Sequence, residues 1–105
     1  MVNDILRTAG VNYRKTRFQK PPEGTYAVYT DDLMSNGIND LNLIRAHDVT
    51  VELFEPAPDD ETEAAVEAAM DAAEVDWKKQ DRLWLPDEQR YQVIYEFIYY
   101  TKRRA

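Results

Sequence analysis

The 105 residues carry a formal net charge of −7, an apolar fraction of 44% and no cysteine. That length suits one domain, residues 1–105, with one modest core. The missing thiols exclude a disulfide framework and a thiolate metal site, and the acidity disfavours ordinary phosphate-backbone binding. No apolar run approaches the ~20 residues of a membrane helix, and the opening MVNDILRTAG is too short and polar for a signal peptide. No membrane partner is therefore expected.

Val2, Ile5, Leu6 and Ala9 recur at helical spacing and predict a short helix, which Gly10 stops. Val11 to Phe18 reads as extended. Pro21 and Pro22 lack the N–H a ladder needs, Glu23-Gly24 turns the chain, and a strand follows from Thr25 to Thr30. Tyr26, Val28 and Thr30 fall on one of its faces, Ala27 and Tyr29 on the other. Asp31 to Asp40 is expected to be a loop turning at Asn36-Gly37, with Leu33, Met34 and Ile38 as apolar residues that must tuck inward or meet a partner.

Leu41 to Glu55 predicts a long strand, with a bend or bulge where Arg45, Ala46 and His47 break the apolar alternation. Pro56 and Pro58 end it. Asp59 or Asp60 caps the next helix, Asp60 and Glu63 forming a box-like pair, and Val66, Ala69, Met70 and Ala73 form its stripe. Ala64, Ala65, Ala68 and Ala72 are expected to widen that stripe. Val75 to Lys79 suggests a strand, and Pro86-Asp87 a turn. Arg90 to Lys102 is the plainest strand, with apolar residues on both faces. The order α-β-β-β-α-β-β predicts an α+β domain: a mainly antiparallel sheet, two helices on one face, and a second face in need of cover.

Catalytic chemistry finds few candidates. His47 is the only histidine, and its neighbour Asp48 points to the opposite side of a strand. Ser35, the only serine, lies beside a turn dipeptide rather than in a nucleophile elbow. PDDETE lacks the alternating ligands of a calcium loop and reads as a helix cap. Gly10, Gly24 and Gly37 are too scattered for a phosphate loop. Tyr91, Tyr95, Tyr99 and Tyr100 lack the basic interleaving of a base-stacking platform. No catalytic residue, metal ligand or cofactor is expected, and the chain reads as a non-enzyme.

The helix ending in AGV, the strand KPPEGTYAVYTDD, the strand VTVELFEP before the acidic helix DDETEAAVEAAM, and the closing YQVIYEFIY have a familiar order. Across nearly the whole chain it resembles the tail terminator or head–tail joining (neck) proteins of siphophages and prophages. The resemblance implies a structural α+β subunit of the virion tail or neck, held in the bacterial cytoplasm before assembly. It implies a hexameric ring that closes the tail tube, meets the tube protein and the head-completion or connector proteins, and lets DNA pass without specific binding. A small adaptor or inhibitor that binds another protein is the alternative. The candidate interface residues are Leu33, Met34 and Ile38, with basic Arg14, Arg17, Lys102 and Arg103 expected to meet acidic Glu63 and Glu67 across a heterologous contact.

Overall fold

A computed structural model describes residues 1–34 and 44–102. Their order is α1 (Val2–Ala9), β1 (Asn12–Lys15), β2 (Tyr26–Met34), β3 (Ile44–Glu55), α2 (Asp60–Ala72), β4 (Lys78–Lys79), β5 (Leu83–Leu85) and β6 (Arg90–Lys102). The protein is an α+β domain with a six-stranded mixed sheet. Strand order is β1-β2-β3-β6-β4, and β5 also pairs with β6. Among the described residues only β1 and β2 run parallel; the other pairs are antiparallel.

Alternation sorts the side chains. Along β2, β3 and β6 the register keeps odd-numbered residues on one face. Ala27, Tyr29, Val49, Val51, Leu53, Val93, Tyr95 and Phe97 lie there and form one core with both helices. Helix α1 contributes Val2, Ile5 and Leu6, and α2 contributes Val66, Ala69 and Met70. Burying each large side chain stabilises the fold by roughly 1.5–3 kcal/mol. Gly10 ends α1 at a φ of 78°, and its N–H bonds the carbonyls of Leu6 and Arg7. Ala64, Ala68 and Ala72 are exposed, so the buried stripe of α2 is narrower than its alanine content suggests.

Four expectations are corrected. β2 does not end at Thr30. Asp31, Asp32, Leu33 and Met34 continue it against Val49, Asp48, His47 and Ala46, because β3 offers an uninterrupted ladder. That ladder also removes the expected bulge: Ile44 to Glu55 pair one-for-one with Lys102 to Tyr91. Within 75–79 only Lys78–Lys79 forms a strand; Val75 and Trp77 pack against the core instead. The cap of α2 is Asp59, whose carboxylate accepts from the N–H of Thr62 at 3.0 Å and from its hydroxyl at 2.7 Å. Asp60 and Glu63 therefore form no capping box. Asn36-Gly37 and Ile38 lie outside the described residues.

The proline-rich entry to β2 is fixed from across the sheet. Arg90 donates to the carbonyls of Pro22, Glu23 and Gly24 at 2.8–2.9 Å, and its guanidinium lies 5.1 Å from the Tyr26 ring centroid. Five donors in a rigid fork suit such a cluster of carbonyls. Thr25 donates to Asp59 at 2.7 Å, tying the start of β2 to the cap of α2.

Candidate assembly surface

The sheet outruns its helices. β1 pairs only with Tyr26–Tyr29 of β2, and β4 and β5 pair only with Arg90–Glu96 of β6. Beyond those limits β2, β3 and β6 continue as a three-stranded arm, with Thr30–Met34 beside Ala46–Thr50 and Glu96–Tyr100. Leu33, Met34, Ile44, Ile98 and Tyr100 are exposed on it by 50%, 43%, 53%, 43% and 67%. Leu33 is odd-numbered and Met34 even-numbered, so the arm presents apolar side chains on both faces.

On the odd face the arm is held by one polar cluster. Asp31 accepts from Tyr99 at 2.6 Å and meets His47 Nδ1 at 2.9 Å. His47 Nε2 lies 2.9 Å from the Thr101 hydroxyl, and its ring stacks on Tyr99 at 4.4 Å. Burial resists ionisation of Asp31, but the bonds from Tyr99 and His47 hold its pKa below the usual value. Burial and the Asp31 bond push the Tyr99 hydroxyl up to about 12. A hydroxyl, an imidazole and a carboxylate in series have the order of a nucleophilic relay. Such a relay also needs donors for an oxyanion. The same contacts tie three strands together, with Asp31 on β2, His47 on β3 and Tyr99 and Thr101 on β6.

The even face is covered in part: Tyr26, Val28 and Ala46 are buried, while Ile98 and Tyr100 are exposed. One end is aromatic, with Tyr26 stacked on Phe54 at 5.0 Å and met edge-on by Phe18 at 5.1 Å. Its middle is acidic. Asp32 lies directly opposite Asp48, and Glu52 and Glu96 share the face. Like charges placed opposite each other cost stability and keep water on the surface. Burial pushes the Glu52 carboxyl above its ordinary value.

One expected interface residue, Glu63, is internal, and a second, Glu67, is half-buried. Glu63 is buried, with 4% of its surface exposed. Its oxygens meet Lys79 at 2.9 Å and Arg82 at 2.7 Å. Glu67 takes Lys79 and the Tyr95 hydroxyl, each at 2.7 Å. Arg82 also reaches Asp60 at 2.8 Å and Glu55 at 3.4 Å. These contacts bind the β4–β5 segment to α2; they enclose Glu63, while Glu67 keeps 26% of its side chain exposed.

Glu55 is the unusual member. It is fully buried, and its Oε2 has no donor. A hydrogen bond joins the Glu55 and Glu63 side chains, with Glu55 as the protonated member. Burial and the adjoining Glu63 push the Glu55 pKa up to about 8. Burial opposes ionisation of Glu63 as well, but bonds from Glu55, Arg82 and Lys79 hold its pKa low. The pair thus keeps one proton and one charge, and Arg82 and Lys79 balance the charge.

Of the basic candidates, Arg14 is exposed on β1, its guanidinium 5.5 Å from the Phe18 ring centroid, and Arg17 is exposed just after β1. Lys102 ends β6, while Arg103 lies outside the described residues. The structure therefore brings Leu33 and Met34 together on the arm, places Arg14 and Arg17 by β1, buries Glu63 and leaves Glu67 half-buried on α2. The sequence reading left Ile98 and Tyr100 on a face of the last strand in need of cover but missed Ile44 and the Asp31–His47 pair, which only the strand register joins to them. Among the described residues no group of three or more His, Cys, Asp or Glu could hold a metal ion, and no helix is long and apolar enough to cross a membrane. No protein-family model matches the chain, and no curated protein is significantly similar to it.

Proposed function

We propose that this chain is a structural subunit of a siphophage or prophage head–tail junction. It assembles as a six-membered ring on the head-proximal end of the tail tube, where it ends the tube and meets the head-completion or connector proteins. The observation that carries this reading is the three-stranded arm, with exposed Leu33, Met34, Ile98 and Tyr100 on a sheet that extends past its own helices. Apolar surface of this kind calls for a protein partner. The acidic stripe of Asp32, Asp48, Glu52 and Glu96 supports a DNA-facing role without binding, because like charge keeps phosphates from adhering. Cytoplasmic residence before assembly and virion residence afterwards belong to the same reading.

Co-expression with a siphophage tail-tube subunit tests it. Electron microscopy should show tubes of limited length capped at one end by a ring containing this chain. Uncapped tubes, with the chain left in the supernatant, would favour a soluble adaptor or inhibitor instead.

A further inference from the structure

We propose that the open edge of β6 pairs with the same edge of a second copy of this chain, giving a two-fold dimer with one continuous sheet. This inference does not rest on the virion reading. Gln80 donates to the carbonyl of Ile94 at 2.9 Å, so the even-numbered residues of β6 turn their backbone groups away from β3. β4 satisfies this side only as far as Glu96. From Phe97 to Thr101 no described strand pairs with it, which leaves the N–H and C=O of Ile98 and Tyr100 directed outward. Such an edge is a template for another strand. A cleft of about 540 Å³ runs from this edge over the sheet toward β3, lined by Asp48, Asp76, Lys78, Glu96, Ile98 and Tyr100.

The register chooses the occupant. Antiparallel pairing about Tyr99 sets Phe97–Thr101 against the same residues of the other copy. Ile98 then faces Tyr100 of the second copy on the even face, and these two carry the outward backbone groups. Each dimer forms Ile98–Tyr100 pairs twice, closing the unsatisfied bonds while bringing together two exposed apolar side chains. Phe97 to Thr101 contain no acidic residue.

The alternatives fail on the same geometry. Thr16 donates to the carbonyl of Tyr29, so the open edge of β2 carries the backbone groups of Asp31 and Leu33. Self-pairing there sets Asp32 against Asp32, beside the Asp48 already opposite it. Joining β2 of one copy to β6 of another at equal level is blocked, since β1 and β4 occupy the lower halves of those edges.

Sedimentation from micromolar to millimolar concentration tests the proposal, on wild type, Tyr100→Pro and Ile98→Lys. Proline at 100 removes an outward N–H without breaking a β3 bond, and lysine at 98 charges the paired face. Wild type should reach twice the 12.3 kDa chain mass. Both variants should raise the dissociation constant at least about tenfold, with thermal midpoints of the monomer near wild type. Slowed exchange of the Ile98 and Tyr100 amides on concentrating the wild type should accompany dimerisation. A wild type that stays monomeric throughout overturns the proposal, as does an assembly that Tyr100→Pro leaves intact.

Discussion

Replacing Glu55 with glutamine should make the protein more resistant to alkaline conditions. Glu55 is fully exposed to solvent in an unfolded chain, where its pKa is near 4.5, and fully buried in the fold, where it rises to about 8. The folded form therefore holds a proton that the unfolded form has released between those values. Stability from this proton is fully present below the unfolded pKa and is lost as pH rises through the folded one. One proton taken up on folding gives a slope of up to about 1.4 kcal/mol per pH unit. Glu63 shares the proton, and its low pKa affects stability only at acidic pH, so the slope between pH 5 and 8 belongs to Glu55. Glutamine matches the shape, stays neutral, and can donate to Glu63 while still accepting from Arg82. Near pH 4.5 the two proteins should unfold at similar urea concentrations, and by pH 6 the variant should already lead by about 2 kcal/mol. At pH 8.5 the variant should be more stable by a few kcal/mol, on the order of ten degrees in thermal midpoint for a domain of this size. Parallel stability curves for wild type and Glu55→Gln across pH 5 to 9 would refute the argument that this carboxyl is protonated in the fold.

Other outcomes follow from the same contacts. Arg82→Ala should cost about 2–4 kcal/mol in urea unfolding, because it strips a cation from Glu63 and Glu55. Reversing Glu63 and Glu67 to lysine should unfold the domain by circular dichroism, since both would meet Lys79. Asp59→Ala should lower stability by about 1–2 kcal/mol through loss of the α2 cap and of the Thr25 tie. Asp31→Asn should speed amide exchange in the arm. Because the Asp31 pKa is lowered in the fold, its stabilisation is present above the unfolded value and is lost as pH falls through the folded one; the variant should lack this acid-side loss.

The long strands and both helices are legible because their periods are clear. Odd-numbered Val49, Val51, Leu53, Val93, Tyr95 and Phe97 announce one buried face. The extension of β2 is not legible: Thr30, Asp31 and Asp32 are polar on both faces, so no alternation marks them as strand, and only the β3 ladder holds them. β5 is three residues long and gains its place by pairing with β6, not by a local pattern. Glu63 falls on the helix stripe at Val66 minus three, but a charged residue there is ordinarily assigned to solvent. Its burial depends on Arg82 and Lys79 arriving from a segment with no regular period. The arm is similarly hidden. Leu33 and Met34 stand out as unaccommodated apolar residues, while Ile98 and Tyr100 look like ordinary strand residues until the short reach of β4 leaves their edge open.

Amide exchange on the free and tube-bound protein tests the assembly account most directly. The account predicts that binding slows the amides of Asp31 and Leu33, whose backbone groups face the open edge of β2, together with the rest of the arm, while α1 and α2 exchange as before. Protection confined to the helices, or no change anywhere when the chain is mixed with tubes, would contradict it.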